Sequence, residues 1–249
     1  MSDYILKLEN LTKEYAGQRA LDCATFDVKR GGIYGFIGEN GAGKTTAIRV
    51  LTGLSKATSG NFELFGTSQP KEIDEARQKI GAIVENPILY QNKNAMNNML
   101  TQGLLYGKSD RAQMRELLEI VGLGNTGNKK VRNFSLGMRQ RLGIALALVN
   151  SPELLILDEP TNGLDPMGMV EMRNLLKSLN RDYGITILIS SHILAELYQL
   201  ATDYIIISHG RIIEQLSLEQ LQVEAAGRSL EEYYIDLLTE NTNGGRKIA

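Results

Sequence analysis

The segment Gly38-Glu39-Asn40-Gly41-Ala42-Gly43-Lys44-Thr45 has the spacing G-x-x-x-x-G-K-T, directly after the apolar run 33–37 and before a stretch of helical character at 44–54. Strand, glycine-rich turn and helix form the context in which this spacing cradles phosphate. Glycines at 38, 41 and 43 let the backbone approach phosphate oxygens closely, and the new helix turns free N–H groups and its positive dipole end toward them. Lys44 then reaches the β and γ phosphates of a nucleoside triphosphate, while the Thr45 hydroxyl is a ligand for Mg²⁺. Asn40, Ala42 and Thr46 complete the set facing the nucleotide.

A second constellation lies downstream. Leu154-Leu155-Ile156-Leu157-Asp158-Glu159-Pro160 reads as an apolar strand ending in two carboxylates, and open α/β sheets bind ligands at strand C-terminal ends. Asp158 is the residue to hold Mg²⁺, through water, and Glu159 the one to orient or deprotonate an attacking water. Adjacent strand residues face opposite ways, so the two acids need distinct roles unless the backbone turns at Pro160. His192 follows another strand, 185–191; it reads either as a contact to the γ phosphate or as a polar residue at a helix start. His209, in Ser-His-Gly-Arg, reads as a turn residue.

These residues need a parallel sheet to bring them together. Short strands are expected at 4–8, 23–28, 33–37, 62–65 and 80–84. From 87 to about 149 the apolar spacing becomes helical, at 96–106, 111–121 and 138–149, which marks a helical subdomain. Strands at 154–157, 185–189 and 204–208 then alternate with helices at 166–181 and 192–200, the pattern of βαβ units. After Arg211 the pattern weakens. Ser229 with Glu232 makes a capping box for a short terminal helix carrying Leu230, Tyr233, Tyr234, Leu237 and Leu238 on one face, and 241–249 reads as a frayed tail.

Composition narrows the function. Of 249 residues, 27 are Lys or Arg and 29 Asp or Glu, a formal charge of −2; a sequence-independent nucleic-acid binder carries a concentrated basic excess, so no nucleic-acid partner is expected. With 43% hydrophobic and 22% charged residues and five prolines, the chain has globular composition and the length for a large core. Cys23 is the single cysteine, which excludes an intrachain disulfide and a cysteine-based zinc site and fits a reducing cytoplasm. The first ten residues lack the basic flank and apolar block of a signal peptide. The apolar stretches at 142–149 and 154–157 fall short of the roughly 18 to 20 residues that span a bilayer. Work at a membrane therefore calls for a separate subunit.

Phe134-Ser135-Leu136-Gly137-Met138-Arg139-Gln140-Arg141 opens the third helix of the helical subdomain, some way before Asp158. With the phosphate turn and the acid-ended strand, it resembles the signature loop of the nucleotide-binding subunits of ABC transporters. It keeps Ser135 and Gly137 and departs from the usual Leu-Ser-Gly-Gly-Gln at Phe134, Leu136 and Met138. The resemblance runs over 4–213. It implies an α/β fold, a P-loop NTPase with a RecA-like parallel-sheet core, an antiparallel β subdomain and a helical subdomain at about 87–150. All three lie within 1–215, leaving 216–249 as a C-terminal helical extension and tail. It also implies ATP and Mg²⁺, Tyr15 stacked on the adenine, Asn162-Gly163-Leu164-Asp165 joining two subunits, and His192 as the switch histidine in catalysis beside Lys44 and Glu159. Ser135 and Gly137 would bind the γ phosphate held by an opposing subunit, for which a hydroxyl and a helix start are suited. Each site is then split between two chains, a homodimer or a pair of related nucleotide-binding subunits, and a lone monomer hydrolyses ATP poorly.

Where that family has Gln after the strand at 80–84, this chain has Glu85, followed by Asn86-Pro87-Ile88-Leu89-Tyr90. Ionised Glu accepts but does not donate, and it adds charge beside Mg²⁺ and phosphate; it remains able to bind the metal or accept from water. Glu85 and the Ser-Leu-Gly-Met signature together resemble the branch of ABC exporters that gives bacteria immunity to lantibiotics or resistance to bacitracin. That resemblance implies integral membrane permease subunits against residues 85–90, with Ile88, Leu89 and Tyr90 in the contact, and a peripheral place on the cytoplasmic face of the membrane. Two rivals stand beside it. A soluble ABC ATPase, such as one of iron–sulfur assembly, would lack a membrane partner, whereas a chromosome or repair ATPase needs a coiled coil longer than the 46–134 interval provides. A GTPase needs Asn-Lys-x-Asp, and both Asn92-Lys93-Asn94-Ala95 and Asn128-Lys129-Lys130-Val131 lack the Asp.

Overall fold

The computed structural model describes residues 3–225, 227 and 230–244. Its central sheet has the order β5-β6-β7-β3-β8-β9, made of β3 (Ile33–Ile37), β5 (Ile80–Ile83), β6 (Leu154–Asp158), β7 (Thr186–Ser191), β8 (Asp203–Ser208) and β9 (Arg211–Ser217). The first five strands run parallel and β9 pairs antiparallel with β8. Every residue of β3, β6 and β7 is buried, which is why these strands read as apolar runs: helices or a second sheet cover both faces. Alternate residues divide between two cores. Ile33, Ile37, Leu155, Leu157, Ile187 and Ile189 face one, and Tyr34, Phe36, Leu154, Ile156 and Leu188 face the other.

The second core lies under a three-stranded antiparallel sheet, ordered β2-β1-β4, of β1 (Tyr4–Tyr15), β2 (Gln18–Lys29) and β4 (Ser59–Leu64). The rings of Phe26 and Phe36, 5.5 Å apart, join the two sheets. Strands β1 and β2 are much longer than the expected 4–8 and 23–28. Register shifts between Leu8 and Leu11 and between Leu11 and Lys13, with Asn10 and Cys23 both at φ 51°, interrupt the period-two alternation that would have revealed the full strands.

The helices are α1 (Lys44–Leu51), α2 (Pro70–Arg77), α3 (Ala95–Leu105), α4 (Arg111–Ile120), α5 (Leu136–Leu148), α6 (Pro166–Tyr183), α7 (Leu194–Tyr198), α8 (Leu218–Ala225) and α9 (Leu230–Gly244). Helices α3, α4 and α5 pack together, and α5 also packs on β5. Asn94, Asp110, Ser135 and Asp165 start α3, α4, α5 and α6 by accepting from Asn97, Ala112, Met138 and Gly168 backbone N–H groups, the usual local device for helix starts.

Several expected boundaries are corrected. Helix α1 stops at Leu51 rather than 54, and α7 occupies only Leu194–Tyr198 rather than 192–200. Helix α2 and strand β9 were not expected. Four residues of the expected frayed tail, 241–244, belong to α9, while Ser229 of the expected capping box lies outside the described residues.

Parallel register decides where the chemistry sits. Ile37 pairs with Ser191 and Asp158 with Ser190, so the chain leaves β3, β6 and β7 at adjacent points on one edge. Gly38, Glu159 and His192 are the next residues in each case.

Candidate functional site: a phosphate loop facing two carboxylates

The turn between β3 and α1 is pressed between neighbouring strands. Gly43 has φ 112°, and a Cβ there would lie 2.6 Å from Ala20 O; a Cβ at Gly38 would lie 2.5 Å from Ile207 O. Only glycine fits at either place. Ala42 is buried and accepts from Gly210 N, whereas Glu39 and Asn40 are exposed. Lys44 is buried, and its Nζ donates to Gly38 O at 2.6 Å and Glu39 O at 3.1 Å. The ammonium thus lies across its own loop, and no acidic residue in the first turn of α1 offsets the positive end of that helix. Thr46, half-buried, follows on the same turn.

The two acids meet this loop from β6. Thr45 Oγ1 donates to Asp158 Oδ2 at 2.8 Å, and Ser190 Oγ donates to Asp158 Oδ1 at 2.6 Å. The alternative left open by the sequence is settled by a turn one residue before Pro160: Glu159 has φ 48°, left-handed backbone that a non-glycine residue adopts only when its surroundings hold it there. Its N–H donates to Ser190 Oγ at 3.0 Å. The turn swings the Glu159 side chain to the same side as Asp158. Its Oε1 lies 3.5 Å from Lys44 Nζ, and its Oε2 lies 3.2 Å from His192 Nδ1 and 3.4 Å from Asn162 Nδ2.

Thr45, Glu85, Asn86, Leu136, Gln140, Asp158, Glu159 and Asn162 line one open cleft. Glu85, at φ 63°, turns back toward α1 and forms an ion pair with Arg49. Gln140 is buried, and its amide oxygen has no hydrogen-bond partner. Tyr15, Ser135 and Gly137 lie outside this lining. Tyr15 stands at the tip of the β1–β2 hairpin with its hydroxyl 3.3 Å from Ser55 Oγ and the Lys13 ammonium 4.6 Å from its ring centre. Ser135 caps α5, accepting from Met138 N at 3.2 Å, and Gly137 faces Leu164 of the 162–165 loop. Burial pushes the Tyr234 phenol up, with the Glu39 charge as the second cause.

Sequence reasoning missed Ser190, Gln140 and Arg49. Two serines ending an otherwise apolar strand just before His192 were a legible signal for Ser190. Arg49 sits in ordinary helical sequence and carries none, and Gln140 lies inside the 134–141 segment, which gave it no role of its own.

The donors suit a hard divalent cation shared with phosphate. Thr45 offers a hydroxyl and Asp158 a carboxylate whose two oxygens are already oriented, an oxygen-only set of the kind Mg²⁺ takes along with phosphates and waters. Among the described residues no three His, Cys, Asp or Glu side chains form a metal cage.

The chain is similar to known proteins over most of its length. Residues 21–162 match the family model described as ABC transporter. The chain is 50% identical over 218 residues, 88% of its length and 71% of the relative's, to the bacitracin transport ATP-binding protein BcrA of Bacillus licheniformis. It is 46% identical over 209 residues, 84% of its length and 89% of the relative's, to the lantibiotic transport ATP-binding protein SrtF of Streptococcus pyogenes. Among solved structures, the dimeric post-hydrolysis state of the ATP-binding cassette MJ0796, bound to ADP and Pi, superposes with a TM-score of 0.76 at 27% identity, covering 86% of this chain and 98% of that one.

Proposed function

The chain belongs to the ABC transporter family as an ATP-binding, ATP-hydrolysing subunit, and from that premise we propose that it powers export of a bacitracin-like or lantibiotic peptide and so gives immunity or resistance to it. The observation that carries the hydrolytic reading is the convergence of Lys44, Thr45, Asp158, Glu159 and His192 at the ends of three adjacent strands. Likeness to the two antibiotic-transport proteins supports the substrate class.

In this reading Lys44 and the α1 N-terminus bind the β and γ phosphates, with Gly38, Asn40, Gly41, Ala42, Gly43 and Thr46 shaping the cradle. Thr45 and Asp158 would hold Mg²⁺, with Glu85 as a further candidate ligand, and the ion would supply charge neutralisation on the phosphate oxygens. Glu159 accepts a proton from water as the water oxygen attacks the γ phosphorus and the bond to the bridging oxygen breaks, releasing ADP and phosphate. His192 holds the Glu159 carboxylate and reaches toward the γ phosphate, and Tyr15 stacks on the adenine.

A second copy or close relative supplies Ser135 and Gly137 to the same γ phosphate. Two chains therefore close around two ATP molecules and reopen after hydrolysis, because only the triphosphate makes the contacts that favour closure. Residues 1–215 form the catalytic unit and 216–249 its C-terminal extension. No helix among the described residues is long and apolar enough to cross a membrane; in this reading the permease is a separate partner. The groove lined by Thr52, Ile80, Asn86, Ile88, Gln102 and Tyr106, with Ile88 96% exposed, offers that partner a mixed polar and apolar seat next to Glu85 on the cytoplasmic face of the membrane.

Deleting the gene should raise susceptibility to bacitracin or to a lantibiotic, and the wild-type gene but not Lys44→Ala should restore resistance. Unchanged susceptibility to both classes, with no membrane protein co-purifying, would favour a soluble ABC ATPase instead.

A further inference from the structure

Ser190 is fully buried, yet it bonds to both acids of the cleft. We propose that Ser190 is the positioning residue of the hydrolytic site, one hydroxyl that orients Asp158 and also fixes the turn carrying Glu159. The proposal rests on the roles given above to those two acids.

The register of the sheet creates the arrangement. Asp158 and Ser190 are paired across β6 and β7, and side chains of paired residues project to the same face of a sheet. A serine hydroxyl has one proton to give and two lone pairs. Here the proton goes to Asp158 Oδ1 at 2.6 Å, and a lone pair takes the Glu159 N–H at 3.0 Å. Donation to an ionised carboxylate is charge-assisted and directional, so it fixes the plane of the Asp158 carboxylate. The other Asp158 oxygen is bonded to Thr45, which belongs to the phosphate loop, whereas Ser190 belongs to the rigid sheet. Glu159 turns at φ 48°, and the backbone N–H at that turn needs a partner. Ser190 supplies it, so the left-handed turn and the aim of the metal-side carboxylate depend on the same oxygen.

Ser190→Cys preserves approximate size with a weak donor, Ser190→Ala removes the donor, and Ser190→Thr keeps the hydroxyl. Each variant would be measured for thermal melting, for the Mg²⁺ concentration half-saturating binding of a fluorescent ATP analogue, and for kcat and KM with ATP. Residues supporting metal ligands typically change metal affinity or activity by about 10- to 100-fold when replaced. Ser190→Ala should accordingly raise the Mg²⁺ requirement and lower kcat by that order, with KM for ATP changed by no more than about two-fold; Cys should fall between Ala and Ser, and Thr close to Ser. A graded Ser, Cys, Ala order in Mg²⁺ requirement is not expected from packing alone. If Ser190→Ala melts like the wild type and both quantities stay within about two-fold, Ser190 only fills the strand and the proposal is wrong. Should the Ala variant fail to fold, equal Mg²⁺ requirements for Cys and Thr would overturn it just as well. A wild-type chain that neither binds nor hydrolyses ATP would overturn the site reading itself, a result distinct from either.

Discussion

The guanidinium of Arg49 is paired with the carboxylate of Glu85, and Arg49 lies one helical turn beyond Thr45 on α1. The helix that begins with Lys44 therefore also holds the residue that opens the partly exposed 85–90 segment. A neutral Gln at position 85 would need no counter-charge, whereas Glu85 has one in place.

Glu85→Gln and Arg49→Gln should each retain ATP binding while altering turnover or its dependence on the membrane partner. Both side chains are partly exposed, so a double-mutant cycle on folding stability should give a coupling of about 0.2–1 kcal/mol. Additive stabilities with unchanged hydrolysis and resistance would reduce Glu85 to a family marker.

Replacing Glu159 with Gln should preserve ATP affinity and slow hydrolysis by roughly 10²- to 10⁴-fold, the usual contribution of a positioned general base. The ATP-bound dimer should then accumulate, visible by light scattering. Wild-type turnover in this variant would remove Glu159 from the catalytic role.

Gly143 of α5 packs against the segment just after Glu85: a Cβ there would lie 2.6 Å from Pro87 Cβ and 3.1 Å from Ile83 Cδ1. Helix propensity alone favours Gly143→Ala by about 1 kcal/mol, but overpacking costs about 1–3 kcal/mol. Net destabilisation in urea is expected, and a stabilised variant would show that this contact yields freely.

Hydrogen bonds from Arg211 and then Arg19 hold the Asp22 carboxyl below its ordinary value, and the three residues join β2 to the β8–β9 edge. A carboxyl depressed in the folded state adds stability above its unfolded pKa of about 3.9, and that stability is lost as pH falls through the lower folded value. Asp22→Asn should thus be less stable near neutrality and lose less on acidification below about pH 4. Urea midpoints measured across that range decide it, and parallel curves would contradict it.

Much of this architecture was legible because local signals agreed with it. The run Ile33–Ile37 closed by glycine and the acid-ended Leu154–Asp158 each mark a boundary by residue type. What stayed hidden depended on distant partners. The outer halves of β1 and β2 are polar and bulged, and β9 becomes a strand by pairing with β8. Whether Asp158 and Glu159 share a cleft was undecidable from alternation alone, because it turns on one left-handed residue whose N–H is held by a serine 31 positions away. Motif spacing placed Lys44 and Thr45; strand register placed Ser190.

The central claim is that ATP held at Lys44 and Thr45 of one molecule is capped by the Ser135 loop of another. In a Cys23→Ser, Glu159→Gln background, which removes the exposed native thiol and stalls hydrolysis, one preparation would carry Asn40→Cys and another Met138→Cys. Mixing them with Mg²⁺ and ATP and adding a short bismaleimide should give a covalent dimer that is absent with ADP. Chains that stay monomeric and uncrosslinked at saturating ATP would contradict the account.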